Sequence, residues 1–125
     1  MQRRILLADD QKETRQQLRS LVEPDGKITV DVVEDGTAAL QALTEQSYSV
    51  FLADLQMPGV GLKLIEEIYK RNLPVTVIVL TDHDQIDRAV QAMHAGAYDF
   101  HTKPIDERHL KLVIERVLRE RRLQD

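Results

Sequence analysis

The chain has 125 residues, with 17 basic and 21 acidic side chains and a formal net charge of −4 when histidine is neutral. The absence of cysteine excludes disulfide frameworks, iron–sulfur clusters, thiol catalysis and cysteine-based zinc sites. The acidic balance and 4% aromatic content argue against direct nucleic-acid binding, and no apolar run approaches the ~20 residues of a membrane helix. We therefore expect one cytoplasmic domain over residues 1–125, with no membrane contact.

Five short apolar runs, rich in valine and isoleucine, have the length and composition of β-strands. They cover residues 5–8, 28–33, 50–53, 75–80 and 97–100. Most are nearly continuous rather than alternating, which is typical of strands that are covered on both faces in a parallel sheet. The second run alternates more, which indicates the edge of a sheet.

A segment with helical periodicity follows each strand. The apolar residues that share one helix face are Leu18, Leu21 and Val22; Ala39, Leu40 and Leu43; Leu64, Ile65, Ile68 and Tyr69; Ile86, Ala89, Val90 and Met93; and Leu110, Val113, Ile114 and Val117. Pro24-Asp25-Gly26, Asn72-Leu73-Pro74 and Gly96 indicate helix ends. Five alternations of strand and helix predict an α/β domain with helices on both faces of a parallel sheet.

Polar residues follow the ends of four predicted strands. In a doubly wound sheet, ligands bind beyond the carboxyl ends of the strands, near the point where the strand order reverses. The residues at these ends are Asp9 and Asp10, Asp54, Thr81, and Lys103-Pro104, after the first, third, fourth and fifth strands. Three carboxylates, one hydroxyl and one ammonium are therefore predicted to meet at one edge of the sheet.

Carboxylates at such close range repel one another unless cations compensate their charge. Lys103 supplies one positive charge against three negative ones. A hard dication with oxygen ligands, Mg²⁺ or Mn²⁺ in its place, would supply the remainder and leave coordination positions open for a phosphoryl oxygen. A carboxylate can attack phosphorus to form an aspartyl-phosphate, with the lysine and threonine stabilising charge on the phosphoryl oxygens.

Four motifs in this order resemble the receiver domain of two-component response regulators, over essentially the whole chain. They are Leu6-Leu7-Ala8-Asp9-Asp10, Asp54-Leu55-Gln56-Met57-Pro58-Gly59, Leu80-Thr81, and Gly96-Ala97-Tyr98-Asp99-Phe100-His101-Thr102-Lys103-Pro104. The stretch from Ile86 to Pro104 resembles the nitrogen-regulatory, enhancer-binding class of receivers. The resemblance implies a flavodoxin-like fold, with a five-stranded parallel sheet of order 2-1-3-4-5 and five helices.

The resemblance also implies a role for each matching residue. Asp54 matches the phospho-acceptor, and the metal ligands would be Asp9, Asp10, Asp54 and the backbone carbonyl of Gln56. The phosphate-binding and switch residues would be Thr81, Lys103 and Phe100, and Pro104 matches a proline preceded by a cis peptide bond.

The implied function is a phosphorylation-activated switch rather than an enzyme with a separate substrate, although such a domain catalyses its own phosphorylation and dephosphorylation. It would take its phosphoryl group from a histidine kinase or a phosphotransfer protein. The face made by the fourth helix, fifth strand and fifth helix would then rearrange to control an output domain or partner. The same face is a candidate surface for a homodimer.

Three features depart from the family pattern. The loop after Pro58, Gly59-Val60-Gly61-Leu62, is one residue shorter than usual, and Phe100 lacks the hydroxyl of the tyrosine often found at that position. Asp82 stands where a small residue is common; its carboxylate either repels an incoming phosphoryl group or caps the fourth helix. His83 lies at the mouth of the predicted site, so we treat both residues as possible modulators.

Plainer interpretations remain open for the same residues. Asp10 with Glu13, and Thr81 with Asp84, have the spacing of helix capping boxes. An aspartyl-nucleophile phosphatase would carry a second acid where Gln56 stands, and a flavodoxin would carry a phosphate loop after the first strand. A pseudo-receiver, which binds partners without taking phosphate, is the main alternative function.

Overall fold

A computed structural model describes residues 3–22 and 27–124, with side chains described as far as residue 121. The strands are β1 (Arg3–Ala8), β2 (Ile28–Val33), β3 (Val50–Asp54), β4 (Thr76–Thr81) and β5 (Asp99–Thr102). The helices are α1 (Lys12–Val22), α2 (Gly36–Glu45), α3 (Leu62–Lys70), α4 (Ile86–Ala95) and α5 (Glu107–Gln124), and a 3₁₀ turn at His83–Gln85 precedes α4. The predicted turn at Pro24-Asp25-Gly26 lies outside the described residues.

The five strands form one parallel sheet in the order β2-β1-β3-β4-β5. This order confirms the flavodoxin-like topology, and β2 lies at an edge as its alternating pattern predicted. The chain moves from β1 to one side to form β2 and then to the other side to form β3. The strand order therefore reverses between β1 and β3, and a ligand site is expected at their carboxyl ends. No helix within the described ranges is long and apolar enough to cross a bilayer.

Two apolar cores cover the two faces of the sheet, because successive side chains on a strand point in opposite directions. Leu6 and Ala8 of β1 pack with α2, α3 and α4 on one face. Ile5 and Leu7 pack with α1 and α5 on the other face. The near-continuous apolar runs in the sequence thus reflect strands that are buried on both sides.

The buried face of α4 differs from the predicted one. Ala89 and Ala92 are buried, whereas Ile86 and Val90 are 38% and 44% exposed. Alanine side chains let the helix lie close to the sheet, so the larger residues on its flank extend past the covered area. The surface formed by α4, β5 and α5, called here the α4–β5–α5 face, therefore carries exposed apolar side chains.

Strand β5 begins two residues later than predicted. Gly96 adopts a φ of +126°, and Ala97 donates its backbone N–H to the carbonyl of Ala92 at 3.0 Å. Residues 96 and 97 therefore complete the end of α4 in the manner of a helix C-cap, and pairing with β4 follows only from Tyr98 onwards. Ala97 is apolar and buried, as a strand residue would be, so the apolar pattern alone could not show that it lies before β5.

Two glycines hold the loop after β3 against the start of α2. Gly36 donates its backbone N–H to the carbonyl of Pro58 at 2.8 Å, and Gly59 has a φ of +73°. A Cβ atom on Gly36 would overlap the backbone carbonyl of Gly59. The close backbone contact fixes the path of the loop that follows Asp54.

We predict that Gly36→Ala lowers the free energy of unfolding by about 1–3 kcal/mol, because backbone atoms must move to admit the new methyl group. Gly61→Ala is the matched control, since the nearest atom to its new Cβ would be Nη2 of Arg88 at 3.6 Å, an ordinary contact. Urea unfolding of both variants measures the difference. Equal destabilisation by the two substitutions would contradict the proposed backbone clash.

Candidate functional site

Two buried carboxylates lie side by side at the switch point of the sheet. Ala8 of β1 is paired with Ala53 of β3, so the next residues, Asp9 and Asp54, are neighbours. Each is only 1% exposed, whereas Asp10 is exposed. The three residues can bring one carboxylate oxygen each within 4.8 Å of one another. The acidic cluster expected from the sequence is therefore formed by Asp9, Asp10 and Asp54.

Backbone N–H groups orient both buried carboxylates. Oδ1 of Asp9 accepts the N–H of Gln11 at 2.8 Å, and Oδ1 of Asp54 accepts the N–H of Gln56 at 2.9 Å. Each bond joins a side chain to the backbone two residues later, which is an Asx turn. One oxygen of each carboxylate is thus anchored, and the other is directed towards the lysine described next.

Lys103 reaches the two carboxylates from the end of β5. Its Nζ lies 2.8 Å from Oδ2 of Asp9 and 3.1 Å from Oδ2 of Asp54, and it donates to Oε1 of Gln11 at 2.6 Å. Its backbone N–H donates to the carbonyl of Thr81 at 2.9 Å, and the peptide bond to Pro104 is cis. The lysine is therefore fixed to the sheet by its backbone and paired with both acids by its side chain.

Burial and charge act in opposite directions on these groups. Burial raises the pKa of Asp54; the Gln56 N–H and the Lys103 ammonium oppose this shift, and the charge of Asp9 adds to it. Burial lowers the pKa of Lys103, but its contacts with Asp9 and Asp54 outweigh burial, and the net shift is upwards. The Lys103 ammonium therefore stabilises the ionised forms of Asp9 and Asp54, but it does not fully offset the cost of burying a charge on Asp54.

The donor set of the cluster fits a hard dication. All three side chains offer carboxylate oxygens, which Mg²⁺ prefers, and two of them are buried. Oδ2 of Asp9 is buried with no aligned hydrogen bond from the described residues; it lies only in the ion pair with Lys103. An additional cation would satisfy this oxygen and lower the repulsion within the cluster.

Thr81 lies on β4, the strand next to β3, and Phe100 lies one strand further from the acidic residues, on β5. Thr81 ends β4 and is fully buried, with its Oγ1 3.4 Å from the carbonyls of both Asp82 and Gln85. These long bonds hold the hydroxyl weakly. Phe100 of β5 is half-buried against the core beneath α4.

The plainer capping interpretations do not agree with the observed helix starts. Helix α1 begins at Lys12, so Gln11 rather than Asp10 precedes it. Thr81 lies in β4, and its hydroxyl is near carbonyl oxygens instead of capping an N–H. Asp82 precedes the 3₁₀ turn without a side-chain cap bond, and Gln85 precedes α4, so of the two alternatives for Asp82 the one in which it caps α4 is wrong.

Asp82, His83 and Gln56 are all exposed at the surface. Gln11 is the residue that sequence reasoning missed, because no motif distinguishes it from any other polar residue after an acidic pair. Its backbone binds Asp9 and its side chain binds Lys103. Gln11 therefore links the end of β1 to the end of β5.

Residues 5–115 match the family model of the response regulator receiver domain. The chain belongs to this family. The receiver domain is 34% identical over 123 residues to the C4-dicarboxylate transport transcriptional regulatory protein DctD of Pseudomonas aeruginosa, covering 98% of this chain and 26% of the relative. It is 35% identical over 120 residues to the DNA-binding transcriptional regulator NtrC of Escherichia coli K12, covering 94% of this chain and 25% of the relative.

A solved structure agrees with this assignment. The response regulator receiver domain protein from Clostridium thermocellum superimposes with a TM-score of 0.84 at 31% identity, covering 98% of this chain and 99% of that one. The resemblance to the receiver family, and to its nitrogen-regulatory class, is confirmed. The receiver domain spans about a quarter of the length of the DctD and NtrC relatives.

We predict that Asp54→Asn stabilises the receiver domain at pH 7 in the absence of divalent cations. Folding raises the pKa of the Asp54 carboxyl above 3.8, so the folded chain holds the carboxyl proton more tightly than the unfolded chain does. The free energy of unfolding therefore falls as the pH rises from 3.8 through the higher pKa of the folded state. The uncharged amide avoids this loss. The advantage of the variant should therefore shrink as the pH approaches 3.8, where wild-type Asp54 is also becoming protonated.

Thermal unfolding between pH 3.8 and pH 7 in EDTA measures this difference. Asp82→Asn is the matched control, since Asp82 is exposed and the same change of charge should have little effect there. A stability gain for Asp54→Asn that does not change with pH would contradict the assignment of the raised pKa to this carboxyl.

Proposed function

We propose that this receiver domain is a switch that accepts a phosphoryl group on Asp54 in a magnesium-dependent reaction. The observation that supports this most is the pairing of buried Asp54 with buried Asp9 and the Lys103 ammonium. A structural ion pair would need one acid and one base. A second buried acid and a third nearby acid, Asp10, add repulsion that a bound cation would offset.

The donor would be the phosphohistidine of a histidine kinase or a phosphotransfer protein. A carboxylate oxygen of Asp54 forms a bond to phosphorus while the phosphorus–nitrogen bond breaks, and the imidazole leaves with the electron pair and takes up a proton. Lys103 pairs with the negative phosphoryl oxygens, and the Thr81 hydroxyl donates to one of them. Water later hydrolyses the acyl phosphate and restores Asp54, so the domain catalyses both steps on itself.

Asp9, Asp10, Asp54 and the backbone carbonyl of Gln56 would hold Mg²⁺, with Mn²⁺ able to substitute. The bound ion supplies positive charge against the phosphoryl oxygens and the acidic cluster. The Asx turns at Asp9 and Asp54 keep each carboxylate oriented by one fixed oxygen. These residues therefore need little rearrangement before the transfer.

The switch itself would be carried by Thr81 and Phe100. Two 3.4 Å contacts hold the Thr81 hydroxyl, so a charged phosphoryl oxygen offers a stronger bond. Movement of Thr81 would open space for Phe100, which is half-buried, to turn inward. The inward turn of Phe100 would rearrange the α4–β5–α5 face. Helix α4 packs through small alanines and presents Ile86 and Val90 to solvent, so a shift of this helix would alter the surface that a partner meets.

We further propose that this face controls an output domain or a separate partner, in a single cytoplasmic receiver unit over residues 1–125. The DctD and NtrC relatives are transcriptional regulators about four times as long as the matched region, which supports an output in transcription. The receiver unit would act through protein contacts, including a homodimer across the α4–β5–α5 face, and would make no direct contact with nucleic acid.

We predict that acetyl phosphate with Mg²⁺ adds one phosphoryl group to the chain, and that EDTA or Asp54→Asn prevents the addition. The amide of asparagine cannot form the acyl phosphate, and EDTA removes the cation. Intact-protein mass spectrometry measures the shift. Asp82→Asn is the matched control, because it removes an acid next to the site without removing the nucleophile.

The absence of any mass shift in the wild-type chain would favour the pseudo-receiver, a protein-interaction module that never takes phosphate. A shift that persists in Asp54→Asn would place the acceptor elsewhere. A faster reaction in Asp82→Asn would indicate that this carboxylate faces the path of the donor. An unchanged rate would indicate that it points away.

We predict that phosphorylation changes amide hydrogen exchange in α4 and β5, and that Thr81→Ala removes this response while leaving Asp54 able to react. The substitution deletes the hydroxyl through which the phosphoryl group would move Thr81 of β4 and so open space for Phe100 of β5. Thr44→Ala is a matched control, since its exposed hydroxyl donates to the Leu40 carbonyl of its own helix. Exchange changes that are confined to the Asp54 loop would contradict the switch.

A further inference from the structure

A second group of metal-ligand side chains lies between β5 and the first turn of α5. Asp99, His101 and His109 can each direct one ligand atom so that the three atoms lie within 4.8 Å of one another. None of them takes part in the proposed phosphoryl transfer. The group shares no residue with the acidic cluster at the carboxyl ends of β1 and β3.

His101 is the buried member of this group. It is paired with Leu80 of β4, so its side chain lies on the same face of the sheet, beneath α5. The residue is 5% exposed, and its Nε2 is buried without a hydrogen-bond partner among the described residues. A buried polar nitrogen without a partner costs free energy, and such atoms call for an explanation.

Asp99 is oriented towards this nitrogen. Its Oδ1 accepts the backbone N–H of Phe100 at 2.8 Å, which leaves Oδ2 at 3.6 Å from Nε2 of His101. This distance is too long for a hydrogen bond. It is close to the ~3.4 Å that separates two ligands of one tetrahedral zinc ion with bonds of about 2.0–2.1 Å.

His109 completes the group from α5. Its ring centroid lies 4.6 Å from that of His101, and the two ring planes are tilted by 55°, so the imidazoles are not stacked face to face. Asp106 accepts the backbone N–H of His109 at 3.2 Å, which fixes the first turn of the helix. Because His109 is exposed, an ion can reach the buried nitrogen from this side.

We propose that Asp99, His101 and His109 bind a zinc-like transition-metal dication. Two imidazole nitrogens and one carboxylate oxygen suit Zn²⁺ rather than Mg²⁺, which prefers oxygen ligands alone. Water would fill the fourth position on the exposed side. The ion would join the beginning of β5 to the first turn of α5 at one border of the α4–β5–α5 face.

The state of the buried ligand is compatible with metal binding. Burial lowers the pKa of His101, the charges of Asp99 and Asp106 raise it in part, and the nearby His109 lowers it further. The net shift favours the neutral imidazole, which is the form that donates its electron pair to a metal.

Calorimetric titration of the untagged chain with Zn²⁺, with millimolar Mg²⁺ present to occupy the acidic cluster, tests the proposal. We expect one equivalent of Zn²⁺ whose affinity falls by at least about tenfold in Asp99→Asn and in His109→Ala, the loss that even an outer-shell partner of a ligand causes. Asparagine keeps the acceptor for the Phe100 N–H, and His109 is exposed, so both variants should fold. His94→Ala is the matched control, because His94 is an exposed histidine at the end of α4.

Nitrogen-15 spectra of the histidine rings give an independent measurement. We expect Zn²⁺ to shift the ring nitrogens of His101 and His109 and to leave those of His83 and His94 unchanged. Absence of binding at micromolar Zn²⁺ would overturn the proposal. Equal binding by wild type and His109→Ala would also overturn it, because the ion would then lie in the acidic cluster or elsewhere.

Discussion

Repulsion between two buried carboxylates is the main electrostatic constraint on the candidate site of this receiver domain. Asp9 and Asp54 end adjacent strands at the only place where the strand order reverses in the described sheet, and the Lys103 ammonium bridges them at 2.8 and 3.1 Å. Burying two acids with one base is unfavourable unless further positive charge is available. A bound cation would offset this repulsion, and in the proposed function the same cation would assist phosphoryl transfer to Asp54.

The surrounding structure maintains this unfavourable arrangement by fixing the backbone. Asx turns hold Asp9 and Asp54, and the Lys103 N–H is bonded to Thr81 on the neighbouring strand. The contact between Gly36 and Gly59 fixes the loop that follows Asp54. These bonds tie the loops that follow β1, β3 and β5 to the ends of the strands, so the acids cannot separate to relieve their repulsion without moving this edge of the sheet. Preorganisation of this kind is what makes charged groups effective in catalysis.

Most of the fold could be predicted because strand burial on both faces leaves a clear record in the sequence. The runs that contain Leu6, Phe51 and Val79 are apolar with little interruption, and each lies in the central part of the sheet. The acidic cluster could also be predicted, since the carboxyl ends of parallel strands meet at one edge. The start of β5 could not, because Ala97 is buried by the turn after α4 rather than by strand pairing.

Two other features depend on three-dimensional neighbours and have no local signal. Gln11 binds Lys103 across 92 positions of sequence, and nothing near it indicates that partner. His101 and His109 are eight positions apart on different elements, a spacing that no single helix or strand would bring together as metal ligands. Hydrophobic periodicity predicts which side chains are buried. The contacts of Gln11, His101 and His109 depend instead on which polar side chains become neighbours once the helices and strands have packed.

The anchoring of α4 has a consequence for substitutions on its surface. Its fully buried contacts come from Ala89 and Ala92, and Met93 packs partly buried against the core, while Ile86 and Val90 are 38% and 44% exposed. Substitution of the exposed pair by other apolar residues of similar size is therefore expected to cost less folding free energy than substitution of the buried alanines. Such substitutions would alter the apolar surface that α4 offers to a partner while leaving in place the scaffold that positions Asp54.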